Sequence, residues 1–149
     1  MTSYALRSAT AADAPRIRNL VRTAHLNPTG LDWERFTVAE TPSGGVIGCV
    51  QIKPHRDGSD ELASLVVASD YQGQGIARAL AEQITGLYEG TLYLMCRATL
   101  GGFYEKFGFR GIHNPEALPT YFRRISKLAS LAEVLSKDGD SLLIMMRSS

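Results

Sequence analysis

Cysteine is nearly absent from this chain, with two residues in 149, Cys49 and Cys96. Two are too few for a disulfide framework, and neither has the company of a metal site. Both read as small buried residues of a reducing cytoplasm. No HExxH, CxxC or carboxylate cluster occurs, so no metal is expected. No apolar run approaches the ~20 residues that cross a bilayer. The opening MTSYALRSAT lacks the charged-then-apolar order of a secretion signal. Repeats and low-complexity tracts are missing too. So is any excess of charge: 16 basic residues stand against 15 acidic, a formal net charge of +1. That balance argues for neither nucleic acid nor a membrane as partner. What is left is a globular composition of a size that suits one domain, residues 1–149, with a real core.

Against this plain background, residues 61–87 stand out. Leu62 to Ala68 is an apolar run ending in β-branched Val66 and Val67, which reads as a buried strand. Ser69, Asp70 and Tyr71 form a polar turn. Then Gln72, Gly73, Gln74, Gly75, Ile76 and Ala77 lead into a helical pattern in which Ile76, Leu80, Ile84 and Leu87 recur on one face. A glycine-rich turn between a strand and a helix start leaves backbone N–H groups unpaired at the positive end of the helix dipole. Such a turn suits an anion, most simply a phosphate or pyrophosphate. A Walker loop would need Gly-Lys-Ser/Thr, which is absent. A dinucleotide fingerprint would need a third glycine where Arg78 stands.

The pattern that fits is Gln72-x-x-Gly75-x-Ala77 after a strand. It is joined downstream, after one strand-like run at 91–96, by Phe103-Tyr104-Glu105-Lys106-Phe107-Gly108-Phe109. Taken together, in this order, the two motifs resemble the GNAT superfamily of N-acetyltransferases. The resemblance implies a single α/β (α+β) domain: a mixed, mostly antiparallel sheet of about six to seven strands, flanked by helices. Its central pair would be parallel and splayed, because a helix crosses between them. It also implies acetyl-CoA as co-substrate, with no metal. Backbone amides of Gln72, Gly73, Gln74, Gly75, Ile76, Ala77 and Arg78 would bind the pyrophosphate. The main chain of Leu65, Val66 and Val67 would pair with the pantetheine arm, with an oxyanion donor near Val67.

The same resemblance suggests two catalytic residues. Glu61, at the start of the central strand, would act as base, usually through water; otherwise it is a solvent-facing strand-end glutamate. Asp60 is a weaker candidate, and His25 and His55 are loop histidines that would contribute only by folding over the cleft. Tyr104 would hydrogen-bond or protonate the departing thiolate; otherwise it packs with Phe103 in the core. Arg97 departs from the asparagine many relatives carry, and would reach a phosphate or an acceptor carboxylate, or form a surface ion pair. An acetyl-cysteine intermediate is not expected, since nothing in the sequence supplies a base beside Cys96.

Along the chain, the patterns predict strands at 4–7, 33–40, 46–53, 61–68, 91–96, 109–112 and 142–146. Helices are predicted from Thr10–Asp13 through Ala24, over 76–87, over 99–107 and over 120–136. The last would carry Tyr121, Ile125, Leu128, Leu131, Ala132 and Leu135 as its apolar stripe, before a turn at Asp138, Gly139 and Asp140. It is longer than the simple hairpin many superfamily members have there. The acceptor pocket would draw on 25–33, the loop near His55, and 121–124. The expected acceptor is the primary amine of a small molecule, including amino acids if Arg97, Arg123 or Arg124 turns inward. A protein N-terminus or lysine is the second acceptor class, and a non-catalytic acyl-CoA-binding module is the rival from another class. A homodimer is compatible with the sequence.

Overall fold

A computed structural model describes residues 2–135 and 141–148, so the predicted turn at 138–140 and the helix end at Ser136 lie outside the described residues. The same holds for the side chains of Ala132 and Leu135. The described strands form one seven-stranded sheet in the order β1-β2-β3-β4-β5-β7-β6. These are β1 (Ala5–Ser8), β2 (Phe36–Glu40), β3 (Val46–Pro54), β4 (Asp60–Val67), β5 (Thr91–Arg97), β6 (Arg110–Gly111) and β7 (Leu142–Ser148). The sheet is mostly antiparallel with one parallel pair, β4 with β5. That register runs through Asp60↔Leu92 and Glu61↔Tyr93. Among the described residues four α-helices flank it: α1 (Ala14–Thr23), α2 (Ile76–Gly86), α3 (Gly101–Glu105) and α4 (Thr120–Leu135). The chain divides into two compact units, Met1–Lys53 with Leu62–Tyr88, and Pro54–Glu61 with Glu89–Ser149.

In the first unit, α1 lays Ile17, Leu20 and Val21 onto Phe36, Val38, Val46 and Cys49. Ala24 falls past the helix end and is exposed. On α2, Ile76, Leu80 and Ile84 are buried as the spacing predicts, but Leu87 is 78% exposed because the helix stops at Gly86. Gly48 explains how closely α2 packs. A Cβ there would meet Leu80 Cδ1 and the Val66 carbonyl oxygen, both at 3.1 Å, tighter than nine in ten real Cβ contacts. The strand predicted from Trp33 begins at Phe36 instead. Asp32 accepts a hydrogen bond from Glu34 N at 3.1 Å and winds Trp33–Arg35 into a helical turn, an outcome local aspartate chemistry favours.

Asp13, buried before α1, ties β1 to the helix. Arg7 clamps it with two hydrogen bonds, 2.7 and 3.0 Å, and also reaches Glu40 Oε2 at 2.6 Å. The Arg7 hydrogen bond holds the Asp13 carboxyl down at about 2, from 3.8, against the opposing effect of burial. A depressed folded-state pKa means the stabilisation is complete above pH ~4 and fades as pH falls toward 2. Because the Arg7 side chain is 32% exposed, screening trims the contribution to about 1–2 kcal/mol. Asp13→Asn is therefore expected to cost that amount in urea unfolding at pH 7. The difference from wild type should vanish near pH 2.

The second unit is built on β7. It pairs with β5 from Thr91↔Ser148 to Arg97↔Leu142 and with β6 at Arg110↔Met146 and Gly111↔Met145. Gly108, at φ +90, ends the turn after α3, as a glycine stop should. Helix α4 is anchored by Phe122, fully buried with Leu118 and Ile144 and flanked by Tyr93, Met95, Ile112 and Tyr121. This corrects the predicted stripe: Leu128 and Leu131 are 64% and 68% exposed. Phe122 turns a different face inward, so Ser126, Ala129 and Ser130 look onto Leu142–Ile144 across a cavity of about 130 Å³.

Candidate active site

In the first unit, the glycine-rich turn runs from β4 into the start of α2. After β4 the chain passes through a helical turn at Ser69–Tyr71, and Gln72 Nε2 reaches back to donate to the Val67 carbonyl at 3.0 Å. Gly73 and Gly75 adopt φ of +78 and +80, a conformation that costs L-residues with a Cβ. No heavy atom lies within 4 Å of where their Cβ atoms would be, so the dihedral and not crowding calls for glycine. Gly75 caps α2, and Ala79 N bonds to its carbonyl at 3.0 Å. The N–H groups of Ile76, Ala77 and Arg78 therefore lack intrahelical acceptors. Open space above two glycines, free donors and a helix dipole together fit a diphosphate. Gln74 Oε1 accepts from Thr2 N at 2.8 Å. The Arg78 side chain pairs with Glu82 at 2.9 Å in an exposed contact. Its expected contribution to a phosphate site is thus through its backbone.

Strand β4 carries a feature the sequence does not announce. Ser64 sits at φ +59, the left-handed region that is unusual for serine inside a strand. The wholly buried Gln51 supports it, donating from Nε2 to Ser64 Oγ at 2.9 Å and to the Gly30 carbonyl at 3.3 Å. Cys49 Sγ donates to the Ser64 carbonyl at 3.5 Å. Burial pushes the Cys49 thiol up to about 12, so it is a donor and an inert nucleophile. Just past this kink stand Leu65, half-buried, and the buried Val66 and Val67. A cavity of about 300 Å³ opens beside them, walled by Val66 and Val67, by residues 68–72, and by Arg16, Asn19, Leu20 and Thr23 of α1.

In the second unit, Glu61 is not a solvent-facing strand end. It is 5% exposed, and its Oε1 lies 2.8 Å from His55 Nε2. The His55 ring stacks on Tyr121 with centroids 3.7 Å apart and meets the edge of Phe122 at 5.6 Å. Tyr121 N donates to Asp57 Oδ2 at 2.9 Å, fastening the first turn of α4 to the β3–β4 turn. Sequence reasoning placed His55 in a loop and missed this enclosure. The faint signal was its distance of six residues from Glu61 across a tight turn, which puts both at one end of a hairpin. His25 lies outside this group, exposed in the first unit. Asp60 is half-buried at the first position of β4.

Tyr104 is buried on α3, edge-on to Phe103 at 5.0 Å and to Phe109 at 6.2 Å. Burial, with Cys96 adding to it, pushes its hydroxyl up to about 12. Arg97 is exposed at the end of β5. Arg123 is occupied locally, donating to the carbonyls of Pro115 at 3.3 Å and Leu118 at 3.1 Å, and Arg124 is exposed. Of the three arginines considered for an acceptor carboxylate, Arg123 thus holds a loop. Among the described residues no cluster could hold a metal ion, and no helix is long and apolar enough to cross a membrane.

No curated protein matches this sequence. Solved structures share the fold. N-acetylglutamate synthase from Neisseria gonorrhoeae, complexed with coenzyme A and N-acetyl-glutamate, aligns with a TM-score of 0.73 at 20% identity, over 99% of this chain and 35% of that one. This chain therefore spans about a third of that synthase. Rv2747 from Mycobacterium tuberculosis, in complex with CoA, aligns with a TM-score of 0.69 at 21% identity, over 97% of this chain and 99% of that one. The ribosomal-protein-S18-alanine N-acetyltransferase of Escherichia coli gives 0.67 at 22% identity, over 99% and 96%. The family model of the acetyltransferase (GNAT) domain matches residues 32–111, more than half of the 149 residues, and takes in the Gly73–Gly75 turn and the Tyr104 helix. The chain belongs to the GNAT acetyltransferase family.

Proposed function

We propose that this protein moves the acetyl group of acetyl-CoA to the primary amine of a small molecule, by direct attack in a ternary complex. The observation that carries the reading is the Gly73–Gly75 turn: two left-handed glycines with open space above them, opening onto the free N–H groups of α2. A diphosphate there would anchor the coenzyme. The main chain of Leu65, Val66 and Val67, beyond the kink at Ser64, would take the pantetheine amides. Tyr104 is assigned as the hydrogen-bond donor to the departing sulfur, and proton removal from the amine falls to the Glu61 end of β4.

A small acceptor is favoured over a peptide because α4 is fastened to the β3–β4 turn through Tyr121 and Asp57, which closes one side of the Glu61 end. The near-neutral charge of +1 supports neither nucleic acid nor a membrane as partner. Two free buried cysteines suit a reducing compartment, which we take to be the cytoplasm.

The test is thiol release from acetyl-CoA with benzylamine, spermidine, lysine and a tetrapeptide with a free N-terminus, alongside thermal unfolding with CoA. Coenzyme at a hundred times its dissociation constant should add about 2.7 kcal/mol of stability. Thiol release should follow with a small amine. No thermal shift and no thiol from any amine would sink the reading. A shift without turnover would leave a coenzyme-binding module in its place.

A further inference from the structure

We propose that the amine's proton is received by the His55 imidazole at Nδ1, with Glu61 as the positioning carboxylate behind it, and not by Glu61 directly. The proposal rests on the acetyl-transfer reading above. Its ground is the Glu61–His55–Tyr121 stack. Glu61 Oε1 lies 2.8 Å from His55 Nε2, and both side chains are nearly sealed, at 7% and 8% exposure. With Glu61 ionised its carboxylate only accepts, which would put the ring hydrogen on Nε2 and the lone pair on Nδ1. Nδ1 has no hydrogen-bond partner among the described residues.

The ring is held in plane as well as in tautomer. Tyr121 covers one face at 3.7 Å, nearly parallel at 18°, and Phe122 abuts it edge-on. Asp57 pins Tyr121 N at 2.9 Å, so the turn carrying His55 and the helix covering it are fastened together. A carboxylate on one imidazole nitrogen with the other nitrogen left basic is the arrangement that makes histidine an effective general base. The titratable groups around the ring are Glu61 from β4, Asp57 from the turn and Tyr121 from α4, with the exposed Arg56 beside it in the chain.

The step balances. The amine nitrogen's lone pair forms the C–N bond to the acetyl carbon, and its N–H proton passes to Nδ1. The C–S bond breaks, and the electron pair leaves with the coenzyme sulfur as a thiolate, which takes a proton from solvent to become the free thiol. The imidazolium then returns its proton to solvent. In this scheme α4, which the sequence marks as a departure, is the element that keeps the base oriented.

Two measurements test it. In the wild-type protein, 15N NMR of the unprotonated His55 ring should show the hydrogen on Nε2; a hydrogen on Nδ1 would overturn the proposal whether or not any variant folds. In kinetics, His55→Gln keeps an amide donor for Glu61 but has no basic nitrogen. With the amine of the panel that turns over, kcat should fall about 10²-fold. The acidic limb of the kcat/KM profile should vanish, and the CoA thermal shift should remain. Glu61→Gln, which still accepts from Nε2, should keep that limb and lose less. A His55→Gln enzyme within twofold of wild type, limb intact, would refute the proposal alone. Wild-type protein that releases no thiol with any amine would instead sink the acetyl-transfer reading, and this step with it.

Discussion

Tyr104→Phe is expected to lower kcat by about 10²–10³-fold while leaving the CoA thermal shift within error of wild type. The size follows from what the hydroxyl can do. Burial holds it at about 12, so it is protonated at every working pH and available as a donor. A coenzyme thiol has a pKa near ~8.5, so complete proton transfer from so weak an acid would be uphill by about 5 kcal/mol. The role open to Tyr104 is therefore a hydrogen bond that strengthens as charge grows on the departing sulfur. Preorganised donors of this kind are each worth about 10²–10³ in rate when removed. Phenylalanine keeps the edge-on contacts with Phe103 and Phe109, so packing is preserved and the readout isolates the hydroxyl. Rapid-quench turnover with CoA titration checks it. A rate within threefold of wild type would leave Tyr104 a packing residue.

Phe122→Ala should destabilise the second unit by about 3–5 kcal/mol, the usual cost of emptying a fully buried phenylalanine site. The melting temperature should drop by roughly 10–15 °C. Phe122 is 0% exposed and is the residue through which α4 holds the sheet, stacking on Tyr93 at 5.1 Å and meeting Tyr121 at 5.0 Å. Little else on the helix would compensate, because Leu128 and Leu131 face outward. The same substitution removes the edge contact on His55, so the variant should also show a broadened His55 ring signal below its melting point. Differential scanning calorimetry decides the first claim. A loss under 1 kcal/mol would mean that α4 is held elsewhere.

The local chemistry of this chain was already decided by the order of its residues. Gly73 and Gly75 between an apolar strand and an amphipathic helix marked a turn with free donors at a helix start, and the helix began at Ile76 as read. Gly108, at φ +90, closed the turn that follows α3, and β-branched Val66 and Val67 closed a buried strand. These are contacts within a few residues of each other, where backbone sterics outweigh everything distant. Tertiary structure alone decided the rest. Leu128 and Leu131 lie on a helical stripe that hydropathy favours, yet the inward face of α4 was chosen by Phe122 finding Leu118 and Ile144. Ser64 takes a left-handed conformation because Gln51, thirteen residues away, reaches it across the sheet. His55 became a sealed partner of Glu61 only when Tyr121, sixty-six residues downstream in the sequence, came to lie on its ring. Side-chain partners so far apart in sequence leave no periodicity to read, because which of many apolar or polar groups meet is settled by packing and not by local propensity.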